Sequence, residues 1–345
     1  MAPVADLPLG VTLGDPAGIG PEIVARCWQQ RTAFDLPPFV AIGDPAALAA
    51  VWDGPVAPID ELSQAVEQFA TALPVIPIRA ERADTPGRPS PAGARCALQA
   101  LEMGVGLART GSIAAVVTGP VSKAQLYAIG FSHPGQTEFV AERCGVAKAN
   151  VAMMLAGPTL RCVPVTTHVP LAAAPAALSV DLVAARARAT LRGLIRNFGI
   201  ERPRLAVSGL NPHAGEDGAL GREEIDVIVP AIERLCEEGW DVIGPLPADT
   251  MFHERARARY DAALCMYHDQ ALIPLKALHF DEGVNITLGL PIVRTAPDHG
   301  TAFDIAGTGS ATPDAMAAAI RTAATAARHR RAQGDPPVQS ISAPA

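Results

Sequence analysis

The chain has 345 residues, of which 49% are hydrophobic and 18% are charged, and its formal net charge is −7. These values are typical of a globular protein large enough to form two lobes, and they exclude a disordered chain. The negative charge argues against broad binding of nucleic acid, because few cations are available to neutralise phosphates.

The sequence contains no apolar run near the ~20 residues that a membrane span needs. Its first ten residues do not form a basic, apolar leader, so we expect a cytoplasmic protein with no membrane partner. Six cysteines are present without any Cys-x-x-Cys pair, and most lie within apolar segments. They are best interpreted as buried, reduced thiols.

Short β-branched segments alternate with longer segments of helical periodicity. One helix is predicted over residues 181–198, where the apolar side chains fall on one face. The alternation predicts an α/β fold with a mainly parallel sheet, in which ligands bind at the carboxyl ends of the strands. The predicted strands are residues 9–13, 39–42, 113–118, 160–166, 204–208 and 262–266.

Two glycine-rich loops are candidates for ligand binding. The segment 14–22 (GDPAGIGPE) follows the first strand, but it lacks the Gly-Lys-Ser/Thr ending of a P-loop. It also fails the Rossmann pattern, because Ile23 stands at the third glycine position. The loop either admits a ligand or forms only a tight turn. The segment 298–309 could hold a cofactor, although glycine richness alone is unspecific.

Several polar residues could bind an anionic substrate. Lys276, Asn285 and Arg294 follow one another near the carboxyl end of the chain. Arg294 follows a predicted strand over residues 288–293, and its guanidinium suits a phosphate or carboxylate, with a local salt bridge as the alternative. Gln136 and Thr137 stand at a predicted helix start, where Thr137 could serve only as an N-cap.

Three histidines occupy equivalent places in the sequence. His168, His213 and His268 each follow a predicted strand, at separations of 45 and 55 residues. Each separation is roughly one strand and one helix, so the three side chains are expected at one rim of the sheet. Three neutral imidazoles would leave a divalent metal its full charge and an open coordination position. Asp269 is a candidate for orienting His268 or for accepting a proton.

The motifs NPHAGE (211–216), GPLPADT (244–250), YHDQ (267–270) and GVNITLGLP (283–291) resemble those of the 4-hydroxythreonine-4-phosphate dehydrogenase family of vitamin B6 biosynthesis. The resemblance runs in order from about residue 9 to residue 327. It implies a two-lobed, isocitrate/isopropylmalate dehydrogenase-like fold with mainly parallel sheets, distinct from the Rossmann fold. We expect a first lobe of residues 1–130 plus 305–332, a second lobe of 131–304 with the histidines, and a disordered tail of 333–345.

The resemblance also implies roles for individual residues. His168, His213 and His268 match the family's metal ligands, for zinc, magnesium or cobalt, with one ligand supplied by the second subunit of a homodimer. The remaining matches are substrate-binding positions: Gln136, Thr137, Lys276, Asn285 and Arg294. Glutamine at 136 departs from the family's usual histidine, since it donates a hydrogen bond but carries no charge.

The implied reaction is oxidation of 4-phosphohydroxythreonine by NAD or NADP, followed by decarboxylation of the β-keto acid. Either Asp269 or Lys276 would accept the hydroxyl proton. Alternative substrates are a sugar-acid 4-phosphate and a cis-dihydrodiol dicarboxylate. A phosphate acyltransferase is a further alternative, but it would leave the three histidines without a role.

Overall fold

The computed structural model describes residues 7–81 and 84–334. They form two compact units. The first contains the described residues up to Cys144 and those from Pro291, and the second contains Gly145–Leu290. The predicted boundaries, at 130 and 304, differ from these because residues 131–144 and 291–304 belong to the first unit. Gln136 bonds to Gly119 O, and Arg294 and Thr295 pair with Val116 and Val117. The predicted disordered tail lies, from residue 335 onward, outside the described residues.

The first unit is built on a fully parallel sheet with strand order β3-β4-β2-β1-β5-β12. Its strands are β1 (Leu9–Thr12), β2 (Phe39–Gly43), β3 (Val56–Pro58), β4 (Leu73–Pro77), β5 (Val116–Thr118) and β12 (Arg294–Pro297). Its helices are α1 (Gly20–Gln29), α2 (Pro45–Ala49), α3 (Ser63–Gln68), α4 (Pro91–Arg109), α5 (Lys123–Ala128), α6 (Gln136–Arg143) and α12 (Asp314–Ala332).

The second unit has a mixed sheet of order β11-β6-β7-β10-β8-β9, in which β7, β10, β8 and β9 run parallel and β11 and β6 form an antiparallel edge. Its strands are β6 (Ala152–Ala156), β7 (Arg161–Pro164), β8 (Arg204–Ser208), β9 (Asp241–Leu246), β10 (Ala262–Cys265) and β11 (Val284–Leu288). Its α-helices are α7 (Ala174–Ala177), α8 (Val180–Phe198), α9 (Val229–Glu237), α10 (Glu254–Arg257) and α11 (His268–His279). Short 3-10 segments lie at Lys148–Asn150, Leu171–Ala173, Pro212–Gly218 and Ala248–Thr250, and a π-helical turn at Glu224–Ile228.

The α/β class and the six predicted strands are confirmed, with ends that differ by at most three residues. The predicted helix over 181–198 is α8. The side chain of Ser179 accepts a hydrogen bond from the Leu182 N–H at its start, and Gly199 ends it with a φ of 66°.

Some local predictions were wrong. The segment 288–293 is not a strand, because Gly289 adopts a φ of 85° and turns the chain between β11 and β12. Arg294 therefore begins a strand instead of following one. Thr137 is not an N-cap, since Gly135 holds that position and Thr137 lies inside α6. Strands β3, β4, β6, β9, β11 and β12 were not predicted. Prolines lie in β3, β4, β9 and β12, and β6 lacks an alternating pattern, whereas β11 does alternate apolar and polar residues and was missed.

All six cysteines are free thiols, and five of them are buried as expected. Cys236 is the exception, because it lies on the exposed side of α9 near the helix end. No helix within residues 7–81 and 84–334 is both long enough and apolar enough to cross a membrane.

Candidate active site

The histidine rim, defined here as His168, His213 and His268, stands above three neighbouring parallel strands. β10 pairs with β7 on one side and with β8 on the other, so the carboxyl ends of all three meet at one edge. Hydrogen bonding continues past the strand ends, where Val165 N donates to Cys265 O at 2.7 Å. The ring centroids of His168 and His268 are consequently 6.2 Å apart.

Two of the three imidazoles contact a carboxylate through Nδ1. His268 Nδ1 lies 2.7 Å from Asp269 Oδ1, and His213 Nδ1 lies 3.0 Å from Glu216 Oε2. A carboxylate on Nδ1 fixes the ring orientation and leaves Nε2 as the coordinating atom, the usual arrangement around metal-bound histidine. The contact between Asp269 Oδ1 and His268 Nδ1 supports the predicted role of Asp269 in orienting His268.

Gln270 fastens the β8 and β10 ends together below the rim. Its Oε1 accepts hydrogen bonds from Ser208 Oγ at 2.7 Å and from Met266 N at 2.6 Å. Its Nε2 donates to Gly209 O at 2.8 Å. The amide is buried and makes three bonds, so the segments leading to His213 and His268 have a fixed relative position.

His213 differs from the other two histidines in the backbone that carries it. His213 lies on a left-handed turn in which residues 213–217 all have positive φ values. Its side chain is 69% exposed. A left-handed conformation costs roughly 1–2 kcal/mol per residue for residues other than glycine, so this turn stores strain.

The donor chemistry of the rim suits a divalent metal. Neutral imidazole is a common ligand of zinc and cobalt, and the Nδ1 carboxylates raise its basicity. Within the described part of this single chain, however, no three His, Cys, Asp or Glu side chains come close enough to hold a metal together. His168 and His268 form a close pair within this chain.

Asp269 and Lys276 lie on α11, seven residues apart. Two helical turns separate them, about 10 Å along the axis, so both occupy the same face of the helix. Asp269 is exposed and Lys276 is half-buried. Because Asp269 already contacts His268, the two residues have different surroundings.

Asn285 offers an unsatisfied acceptor on β11. Its Oδ1 atom is buried and has no hydrogen-bond partner in the protein. A buried acceptor without a partner costs about 1–3 kcal/mol. Such an atom is expected where a ligand supplies the missing donor.

The anion pocket, defined as Arg294, Thr118 and Gln136, lies in the first unit. Arg294 is 3% exposed, and its Nη2 donates to Thr118 Oγ1 at 2.7 Å and to Gln136 Oε1 at 3.1 Å. Burial lowers the pKa of Arg294 to about 10, while the charge of Glu138 acts in the opposite direction. A buried guanidinium held by neutral oxygens favours binding of an anion.

Gln136 uses both ends of its amide within this pocket. Its Nε2 donates to Gly119 O at 3.2 Å while its Oε1 accepts from Arg294. Gln136 therefore orients the guanidinium. The adjacent Thr137 is half-buried in the first turn of α6.

The two glycine-rich loops contact each other within the first unit. Ile19 N donates to Thr301 O at 2.9 Å, and Gly307 N donates to Glu22 Oε2 at 3.1 Å. Asp15 in the first loop is buried, which raises its pKa to about 6, with Asp84 adding to the effect. The loops form one connected surface.

Sequence reasoning missed three buried residues that make contacts at these sites: Thr118, Gln270 and Glu224. The carboxylate of Glu224 accepts hydrogen bonds from Leu210 N and Asn211 N, just before His213. Gln270 belongs to the YHDQ motif, and its place directly before the apolar segment 271–275 is the signal that could have identified it. Thr118 ends a predicted strand with a hydroxyl, which is a weaker signal. Nothing in the local pattern around Glu224 indicates its burial.

Comparisons with known proteins find relatives over nearly the whole chain. A curated 4-hydroxythreonine-4-phosphate dehydrogenase from Zymomonas mobilis is 55% identical over 325 residues, covering 94% of this chain and 97% of the relative. The crystal structure of a 4-hydroxythreonine-4-phosphate dehydrogenase from Klebsiella pneumoniae is 35% identical with a TM-score of 0.84, covering 93% of this chain and 100% of that one. A terephthalate 1,2-cis-dihydrodiol dehydrogenase structure from Burkholderia xenovorans is 30% identical with a TM-score of 0.64, covering 93% and 98%.

The fold, the site and these relatives define an oxidoreductase of the dehydrogenase class. Residues 35–323 match the family model described as pyridoxal phosphate biosynthetic protein PdxA. The chain belongs to the PdxA family.

Proposed function

We propose that the chain oxidises 4-phosphohydroxythreonine with NAD(P)⁺ to 2-amino-3-oxo-4-phosphooxybutanoate. This product loses CO2 to give 3-amino-2-oxopropyl phosphate, a precursor of pyridoxal phosphate. The observation that carries the proposal is the 55% identity to a dehydrogenase of that name over nearly the whole chain.

The anion pocket binds the substrate's phosphate in this proposal. Arg294 supplies the charge, and Gln136 and Thr118 hold its guanidinium in one orientation. Thr137 adds a hydroxyl from the first turn of α6. Asn285 accepts a hydrogen bond from a donor group of the substrate, which satisfies its buried Oδ1.

The residues that would hold the divalent metal are His168 and His268 of one subunit and His213 of a second. A bound zinc, magnesium or cobalt ion would acidify the substrate hydroxyl and stabilise negative charge on its oxygen during decarboxylation. The chain's own contribution is orientation, because Asp269 and Glu216 bind the Nδ1 atoms of His268 and His213.

Lys276, in its neutral amine form, accepts the hydroxyl proton in this proposal. Asp269 is the alternative, but its carboxylate contacts His268 Nδ1 at 2.7 Å. As the proton passes to Lys276 Nζ, the hydride passes from the carbinol carbon to NAD(P)⁺, giving the ketone and NAD(P)H. Loss of CO2 then leaves its electron pair on the carbon skeleton as an enolate, which takes up a proton.

A homodimer is supported by the geometry of the rim. His168 and His268 are close together, whereas His213 carries an exposed ring on a strained turn. Large apolar side chains are also exposed near the histidine pair in sequence, as expected for a protein interface. They are Val169, Leu171, Ile273 and Phe280.

The nucleotide cosubstrate is proposed to bind at the connected glycine-rich loops of the first unit. The loop 298–309 is fixed against α1, since Arg26 donates to Gly309 O and to Ala311 O at 2.5 and 2.6 Å. A fixed loop with many glycines allows a ligand to approach the backbone closely.

The test is formation of NAD(P)H from 4-phosphohydroxythreonine by the purified chain, before and after removal of metal by a chelator. We expect activity to fall on metal loss and to return with zinc, magnesium or cobalt. Absence of activity in the metal-replete protein would contradict the assigned substrate. Full activity after verified metal loss would contradict the metal's role.

A second candidate is oxidation of a cis-dihydrodiol dicarboxylate. The similarity to the terephthalate dihydrodiol dehydrogenase favours it, together with the neutral Gln136 beside Arg294. A sugar-acid 4-phosphate is a third substrate with the same anionic character. Side-by-side measurement of kcat/KM for the three substrates separates these candidates.

A further inference from the structure

The turn that carries His213 has an uncommon backbone. Residues 213–217 have φ values between 45° and 85°, and only Gly215 among them is a glycine. Four residues with side chains thus lie in a region that L-amino acids rarely adopt. Such a conformation persists only where surrounding groups hold it in place.

Glu224 binds the backbone at the entry of this turn, where the Asn211 side chain also donates to Glu223 Oε2 at 2.8 Å. Glu224 begins the π-helical turn Glu224–Ile228 and is 3% exposed. Its Oε1 accepts from Leu210 N at 2.7 Å and from Asn211 N at 2.8 Å, and its Oε2 accepts from Asn211 Nδ2 at 2.9 Å. Three N–H groups just before His213 therefore converge on one buried carboxylate.

The turn and the carboxylate also fit closely in space. A Cβ atom at Gly215 would stand 2.6 Å from Glu224 Oε2, and one at Gly209 would stand 3.1 Å from Glu224 Oε1. No ordinary side chain has room at Gly215 while the carboxylate keeps its place. The absence of side chains at these two positions lets the turn close over Glu224.

We propose that Glu224 is a positioning residue for His213, fixing the left-handed turn so that the imidazole is held ready to bind metal. The inference rests on the proposed metal-dependent function. An exposed histidine on an unrestrained loop would lose conformational freedom when it coordinates, whereas a fixed turn removes that loss beforehand. Glu216, within the same turn, then sets the rotation of the ring through Nδ1.

The test substitutes Glu224→Gln, which keeps the volume but places an NH2 group against the Asn211 amide. The dissociation constant of Co²⁺ is measured by calorimetry on the metal-free protein, and the visible spectrum of bound Co²⁺ is recorded. We expect binding about 10- to 100-fold weaker and a changed spectrum. The control is Asp226→Asn, which removes an exposed ion pair with Arg222 on the same π-helical turn and should bind Co²⁺ as the wild type does.

A second variant approaches the same contact from the turn. Gly215→Ala introduces a Cβ against Glu224 Oε2, so it should weaken Co²⁺ binding in the same way. Gly239→Ala is the matched control, because Gly239 also has a positive φ, 87°, but its Cβ would meet nothing within 4 Å. Equal metal binding by Gly215→Ala and Gly239→Ala would overturn the proposal.

Hydrogen exchange gives a readout that needs no metal. In Glu224→Gln, amide exchange should accelerate in residues 209–217 and remain unchanged in α8 and α11. Wild-type exchange in that segment, or wild-type Co²⁺ affinity, would overturn the positioning role. If the wild-type protein itself binds no Co²⁺ while exchange still accelerates, the failure lies in the proposed metal function and the inference falls with it.

Discussion

The anion pocket of the first unit and the histidine rim of the second differ in how far their functional side chains are exposed to solvent. Arg294 is buried, and hydroxyl and amide oxygens hold its guanidinium. His168 and His213 are exposed, and His213 and His268 contact carboxylates at Nδ1. The charge of Arg294 is thus shielded from water, whereas the imidazoles of His168 and His213 are accessible to solvent.

This difference in exposure indicates what would strengthen ligand binding in each region. A buried guanidinium interacts more strongly with an anion because the surrounding dielectric constant is low. An exposed imidazole gains from orientation by its neighbours and, in the proposed dimer, would gain from completion of its ligand set by the second subunit. Substitutions in the pocket should change substrate binding, and those in the rim should change metal binding and turnover.

The largest expected effect is at the rim. His268→Ala removes one member of the close histidine pair, and kcat/KM should fall on the order of 10³-fold or more because metal is lost. Metal content by atomic emission and kcat measured at saturating substrate test this. His253→Ala, an exposed histidine outside the rim, is the control and should retain metal. A metal-replete His268→Ala protein would break the comparison.

The second largest expected effect is a rise in KM on substitution of Arg294 in the anion pocket. Arg294→Lys keeps a positive charge but loses the planar fork that bonds Thr118 and Gln136, so KM should rise about 100-fold with a smaller change in kcat. Steady-state kinetics at fixed NAD(P)⁺ measure both constants. A loss confined to kcat would place Arg294 in the chemical step and not in the binding of the anion.

Gln136 sharpens the comparison further. Gln136→Glu would set a carboxylate beside the buried guanidinium and neutralise it, so KM should rise about 10- to 100-fold without loss of thermal stability. Gln136→Met, of similar size and uncharged, should raise KM less. If the glutamate variant binds substrate as tightly as the wild type, Arg294 is not the anion's partner.

The smallest effect concerns stability in the first unit. Burial raises the pKa of Asp15 to about 6, so the folded state binds this proton more tightly than the unfolded state. Its contribution is therefore greatest below about pH 4 and is lost as the pH rises to about 6. Asp15→Asn should raise the Tm by a few degrees at pH 7 to 8 and flatten its dependence on pH.

Thermal unfolding monitored by circular dichroism between pH 4 and 8 checks the Asp15 prediction. Asp53→Asn, which removes an exposed aspartate, is the control for the loss of one charge. A lower Tm for Asp15→Asn than for wild type at pH 8 would contradict the direction of the pKa shift.

The rim illustrates what a sequence can predict. Three strands of recognisable composition place His168 and His268 at one edge, and the parallel pairing of β7 and β10 brings the rings together. The left-handed turn at His213 could not be predicted, because alanine and glutamate normally avoid that conformation. Its contacts with the buried carboxylate of Glu224 depend on tertiary packing, which no local pattern encodes.

The anion pocket shows what could not be predicted from the sequence. The type of residue at Arg294 indicates anion binding, but the expected strand before it proved to be a turn. Its partners Thr118 and Gln136 are 176 and 158 residues away in sequence. Side-chain bonds over such separations depend on the order of strands in the sheet, which no local pattern encodes.

The most direct test of a shared, metal-binding active site is subunit complementation. His213→Ala and His268→Ala are each inactive alone in this account. When the two proteins are unfolded together and refolded as a random mixture, half the dimers contain one of each chain, and each such dimer has one intact site. The account predicts about a quarter of wild-type activity. No recovery in a mixture shown to contain mixed dimers would contradict it, because His213 would then serve the histidine pair of its own chain.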